Sequence, residues 1–167
     1  MELRRLRPDD LAAYFACRLE ALAESPDVFV TTLAEETARG PQRFAKTLAE
    51  GGDDQVLFGA VDGPTVAASL GLLRGDRAKT RHRASIVGMY VRSTYRRQGL
   101  GGRLLDLALA HARSVSGIQV VGLSLQAENR QALRLYESRG FVVWGREPRA
   151  LVTGGRAFDE LHMALVL

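Results

Sequence analysis

Apolar and polar positions recur along this chain with two periods, and the switch between them marks its organisation. Leu11, Tyr14, Phe15, Leu19 and Leu22 fall at helical spacing behind Pro8-Asp9-Asp10, whose acids suit a helix start, and Ser25-Pro26 stops the run. A second helical stretch is predicted over about 33–49, closing at the turn Gly51-Gly52-Asp53-Asp54. From Gln55 the period shortens to that of strands. Residues 56–61, the turn Asp62-Gly63-Pro64 and residues 65–73 read as an antiparallel hairpin, and another strand covers about 84–91. Leu104, Leu105, Ala108, Leu109 and Ala112 then share one helical face, a strand covers about 119–125, and a helix over about 129–139 ends at Gly140-Phe141. Short strands at 2–7, 141–144 and 158–166 complete the set. The predicted class is α/β of the α+β type, with helices flanking a mixed sheet, and no internal repeat or low-complexity segment interrupts it.

Composition narrows the classes. A length of 167 residues, 46% of them hydrophobic and 25% charged, fits one globular domain spanning 1–167 and excludes a disordered chain. No uncharged apolar run approaches the roughly 18 residues of a membrane span, and the start, Met1-Glu2-Leu3-Arg4-Arg5, carries no apolar signal core, so neither a membrane nor an exported location is expected. The single cysteine, Cys17, can close no internal disulfide, and a cytoplasmic protein is predicted, with Cys17 as a small core residue. His82, His111 and His162 are the only imidazoles, and no metal is expected. Of 23 basic residues only Lys46 and Lys79 are lysines, and the net charge is +4. Arginines suit phosphates. They are spread rather than clustered, so nucleic acid is not an expected partner, and Arg74, Arg77, Lys79, Arg81 and Arg83 read as a solvated hairpin edge.

The sharpest feature is Tyr95-Arg96-Arg97-Gln98-Gly99-Leu100-Gly101-Gly102, a basic glycine-rich loop between a strand and a helix. Unpaired amides at a helix start converge on one point, the helix dipole adds positive potential, and glycines let an oxygen approach. A P-loop is excluded because no Gly-Lys-Ser/Thr follows, and a dinucleotide fingerprint because Leu104 stands where a small residue is needed. What fits is Arg96-x-x-Gly99-x-Gly101, preceded by Met89-Tyr90-Val91 and followed by Asn129-x-x-Ala132-x-x-Leu135-Tyr136-Glu137-x-x-Gly140-Phe141. On these residues, and on element order over essentially the whole chain, the sequence resembles the GNAT superfamily of acetyl-CoA-dependent N-acetyltransferases.

The resemblance implies a twisted, mostly antiparallel sheet of about seven strands with about four helices, and acetyl-CoA as cosubstrate. It implies that amides from Arg97 through Gln98, Gly99, Leu100 and Gly101 to Gly102 hold the pyrophosphate, with attraction from Arg96, Arg97 and Arg103. Met89, Tyr90 and Val91 would hold the pantetheine arm as an added strand, an amide at Met89 would face the oxyanion, and Asn129 would face the ligand while capping its helix. Tyr136 would face the departing sulfur; core packing is the alternative for it. Proton transfer from a tyrosine near about 10 to a thiolate near about 8.5 is uphill by roughly 2 kcal/mol, so Tyr136 is expected to donate a hydrogen bond. The implied acceptor is a primary amine of a small molecule or of a peptide N-terminus, attacking directly in a ternary complex. An alkyl amine near about 10 is neutral about one part in a thousand at pH 7, a cost of roughly 4 kcal/mol, so some base or ordered water must relieve it. Many relatives place a glutamate on the fourth strand; residues 84–91 hold no carboxylate. Glu20, Glu36, Asp159, Glu160 and His162 are the candidates, each with a solvated surface role as its alternative. A non-catalytic acyl-CoA sensor of the same fold is the alternative function, and the last strand, 158–166, could pair across a homodimer.

Overall fold

The computed structural model describes residues 1–167. Its sheet contains β1 (Glu2–Arg5), β2 (Gln55–Asp62), β3 (Thr65–Arg74), β4 (Arg83–Val91), β5 (Val120–Gln126), β6 (Val142–Thr153) and β7 (Arg156–Val166). Their order is β1-β2-β3-β4-β5-β7-β6, antiparallel throughout except for the β4–β5 pair. The helices are α1 (Leu11–Glu24), α2 (Leu33–Arg39), α3 (Gln42–Glu50), α4 (Leu100–Ser114) and α5 (Arg130–Glu137). None is long and apolar enough to cross a membrane.

Strand alternation divides the core. Val56, Phe58 and Ala60 of β2 point to the face covered by Leu104, Leu105, Ala108 and Leu109 of α4, while Leu57 points to the face covered by Tyr14, Cys17 and Ala21 of α1 and Phe44 and Leu48 of α3. Cys17 is fully buried, as expected of a small core residue.

Three differences from the sequence reading have local causes. The helix expected over 33–49 is two helices, because Gly40 turns to φ 67 and Pro41 cannot continue the hydrogen-bond ladder; five helices therefore flank the sheet. The closing strands are longer than expected and form one hairpin turned by Gly154 and Gly155, both at positive φ. Irregular register after Val143 and after Glu147 breaks the alternation that would have revealed β6. Finally, β7 lies between β5 and β6, so both its edges are occupied and it has none to offer a second copy; the free edges are β1 and β6.

Candidate active site

The parallel β4–β5 pair holds only at Arg83–Val120, Ala84–Val121 and Ser85–Gly122. Beyond those residues the strands part. Gly88 adopts φ 61, and the β3–β4 register gains a residue on β4 between Gly71–Val87 and Ser69–Tyr90, a bulge that bends β4 from its neighbour. A cleft of about 530 Å³ opens there, with Met89 on one wall, Ser124 and Leu125 on the other, and Asn129 and Tyr136 reaching in from α5.

The glycine loop stands where β4 hands over to α4. Gly99 precedes the helix in the left-handed region, φ 71, with no side-chain cap, and Arg97 has φ 61, uncommon for a residue with a Cβ. The Arg103 amide donates to the Gly99 carbonyl (3.1 Å) and the Arg96 amide to the Ser93 carbonyl (3.3 Å), but the six amides from Arg97 to Gly102 donate to no protein acceptor. Alternating left-handed residues with free amides form an anion-binding concavity, reinforced here by the α4 dipole. Gly101 faces Met89, Leu135 and Val91 at 3.4–3.7 Å from the place of a Cβ, whereas at Gly99 that place is open.

The side chains of Arg97 and Arg103 are exposed and make no hydrogen bond or ion pair with the protein. Arg96 is engaged within the protein: its Nε donates to the Val91 carbonyl (3.0 Å), it pairs with Glu24 at 2.7 Å, and it lies 5.8 Å over the Tyr90 ring. It braces the loop. Gln98 is exposed and Leu100 is in the core. The Tyr90 side chain turns from the cleft to α1, where its hydroxyl donates to Glu24 and Glu20; burial raises the Tyr90 hydroxyl far above its usual range. Only main-chain atoms of Tyr90 can serve a ligand in the cleft.

Asn129 caps α5, accepting from the Ala132 amide (3.0 Å), and also lines the cleft. Tyr136 is 6% exposed, packs edge-on to Phe141 and donates from its hydroxyl to Met89 Sδ at 3.1 Å. Burial pushes its pKa up to about 12. It both lines the cleft and packs in the core.

The candidate bases separate sharply. Glu20 pairs with Arg92 and accepts from Tyr90. Asp159 accepts from the Arg149 amide (2.9 Å) and Arg146 Nε (2.8 Å), which hold its carboxyl below the usual range. Glu36, a candidate base with a solvated surface role as its alternative, is fully buried: Arg18 Nε donates to it at 3.0 Å and Arg43 at 2.7 Å. Sequence reasoning missed this cluster because its members are 18 and 7 residues apart on three helices. Arg18 and Arg43 both line the cleft, and the terminal nitrogens of Arg18 have no protein partner. Glu160 also lines the cleft. With Glu147 and His162 it forms the one trio of metal-type ligands, their donor atoms all within 4.8 Å of one another.

Residues 19–141 match the model of the acetyltransferase (GNAT) family. Two curated relatives align over 79 residues at 33% identity: the L-amino acid N-acyltransferase MnaT of Escherichia coli (strain K12) and the L-methionine sulfoximine/L-methionine sulfone acetyltransferase of Salmonella typhimurium. Each alignment takes in 47% of this chain, and 45% and 46% of the respective relative, so less than half of either. The fold superposes on yncA, a putative acetyltransferase of Salmonella typhimurium solved with its cofactor acetyl-CoA, with a TM-score of 0.84 at 22% identity over 100% of this chain and 94% of that one.

Proposed function

Because the chain belongs to the GNAT family of acetyltransferases, we propose that residues 1–167 form one N-acetyltransferase domain, which moves acetyl from acetyl-CoA to the amine of a small carboxylate-bearing molecule by direct attack in a ternary complex. One observation carries this reading: six consecutive amides without protein acceptors at the head of α4, next to the point where β4 leaves β5. A diphosphate fits the first, and an extended amide-bearing arm fits the second as an added strand.

In this reading the thioester carbonyl lies against β4, where the main chain around Met89 supplies the donor for the oxyanion that forms when nitrogen attacks. Tyr136 meets the departing sulfur from α5. With its pKa near 12 against about 8.5 for a thiol, full transfer of its proton is uphill by roughly 5 kcal/mol, so its contribution is a hydrogen bond to the developing thiolate. Met89 Sδ, its present partner, is a weak acceptor that a thiolate readily replaces.

The acceptor class follows from charge. Arg18 spends one nitrogen on Glu36 and turns the rest of its fork toward the cleft beside Gly88, whose Cβ position is 3.9 Å away. A guanidinium so fixed suits a carboxylate bidentately. The two curated relatives are named for amino acids or amino-acid analogues, which agrees with this choice over a polycation or a neutral amine. The test is CoA release, followed with a thiol reagent, across L-methionine sulfone, L-methionine sulfoximine, the common L-amino acids and their decarboxylated amines. Turnover confined to carboxylate-bearing acceptors is expected. A well-folded protein that gives no calorimetric heat with millimolar acetyl-CoA refutes the proposal, and heat without turnover on any amine leaves the sensor.

A further inference from the structure

An ammonium must lose a proton before its nitrogen can attack, and β4 carries no carboxylate to take it. One carboxylate in the cleft is without a partner. Glu160 lies on β7 opposite Gln126 of β5 and Glu147 of β6, is 8% exposed, and shares the cleft wall with Ser124, Asn129 and Tyr136. No hydrogen bond or ion pair engages its oxygens, whereas every fully buried side-chain polar atom of the protein has a partner. The Glu160 oxygens therefore keep some contact with solvent, and the residue lines the cleft. Leaving a carboxylate unpaired at such burial costs stability, which is expected where a reacting group must be met.

Behind Glu160, His162 Nε2 and Glu147 Oε2 are 3.0 Å apart, and their side chains are 28% and 55% exposed. The other titratable groups that line the same cleft are Tyr14 and Arg18 of α1, Arg43 of α3 and Tyr136 of α5, and Gln126, the neighbour of Glu160 on β5, donates from Nε2 to Asp27 at 3.2 Å. Asp159, its neighbour in the chain, projects to the opposite face of β7 with Arg146.

We propose that Glu160 is the catalytic base that takes the proton from the acceptor ammonium. The proposal rests on the acyltransferase reading above. The ammonium gives up two protons in all. The first shifts to a Glu160 oxygen within the same step in which the freed lone pair forms the C–N bond and the carbonyl π pair moves to oxygen, so that no separate carboxylic acid and amine accumulate. The second leaves nitrogen when the adduct collapses, and it ends on the sulfur, which departs with the C–S bonding pair.

The experiment compares wild type with Glu160→Gln over pH 6.5–9.5, using the fastest L-amino acid of the panel above. At pH 7 the variant is expected to lose about 10²–10³-fold in kcat/KM with its calorimetric affinity for acetyl-CoA unchanged. The deficit shrinks as pH rises, because solution then supplies the neutral amine that Glu160 otherwise makes. A loss of constant size at every pH, or no loss, overturns the assignment alone; so does activity abolished by a chelator and restored by zinc, which makes the trio a metal site. Absence of wild-type turnover on every amine removes the acyltransferase reading and this assignment with it. If Glu160→Gln fails to fold, Glu160→Asp, which keeps the carboxylate but withdraws it, is expected to lose about tenfold with the same closing at high pH.

Discussion

At the scale of single residues, what governs the candidate site is how much water each polar group keeps. Tyr136 and Glu160 border one cleft, and both are more than nine-tenths buried. The tyrosine has a weak sulfur partner and the glutamate none. Burial holds Tyr136 protonated to about pH 12, so its hydroxyl remains a donor across the working range. Tyr136→Phe is expected to lower kcat about 10²-fold, the worth of one donor to a developing anion, with little change in acetyl-CoA affinity. The wild-type pH–rate profile should show no alkaline limb from this group below about pH 11. Steady-state rates and calorimetry check both points, and an unaltered kcat assigns Tyr136 to packing against Phe141 alone. Much of this site was readable from residue types, since a tyrosine seven positions after an asparagine and a Gly-Phe pair is a local pattern. The Arg18–Glu36–Arg43 cluster was not readable, because side chains on three helices meet only after packing.

At the scale of elements, the legible features are those in which chain-local chemistry decides the conformation. Gly99 fixes the head of α4, Asn129 caps α5, and the apolar stripe of α4 faces β2 and β3. Less legible are places where a single residue breaks a period, such as Gly40-Pro41 between α2 and α3 and the irregular register of β6. Gly88 belongs with these. It stands in a strand like any other glycine, and only the register against β3 reveals that it bends β4 from β5. The glycine loop yields a prediction because its strain is separable from crowding. At Gly99 nothing lies within 4 Å of a Cβ, yet φ is 71, so Gly99→Ala costs about 1–2 kcal/mol through backbone conformation alone. The loop relieves this by turning its free amides out of convergence. Expected is an approximately tenfold rise in the dissociation constant for CoA, with Tm lowered by only a few degrees; a large drop in Tm without loss of affinity contradicts the anion site.

Across the whole molecule, the two-sided core was legible and the strand order was not. Periods show which residues are buried but not which strand is whose neighbour, and placing β7 inside the sheet depends on pairings with β5 and β6 at long sequence range. That placement brings Glu160 to the cleft. The same global view governs acid stability. Arg4 holds the Asp10 carboxyl below its usual range through two bonds of 2.6 and 2.9 Å, and the Arg7 amide adds a third at 2.7 Å. Glu24 is lowered by the Tyr90 hydroxyl and Arg96, Asp54 by Arg81 and Arg74, Glu35 by the Thr32 cap, and Asp159 by Arg149 and Arg146. A carboxyl whose folded pKa lies below its unfolded value near 4 contributes its full stability above that value, and loses it as pH falls through the folded one. All five shifts have this sign, so urea unfolding should give a flat free energy over pH 6–8 and a fall that begins near pH 4. Asp10→Asn isolates one term: it should cost about 1 kcal/mol at pH 7, where the Arg4 pair and the turn into α1 are both engaged. By pH 2–3 the wild-type carboxyl is itself becoming neutral, and the two proteins should converge. A difference that persists at pH 2 instead assigns the cost to lost packing around Asp10.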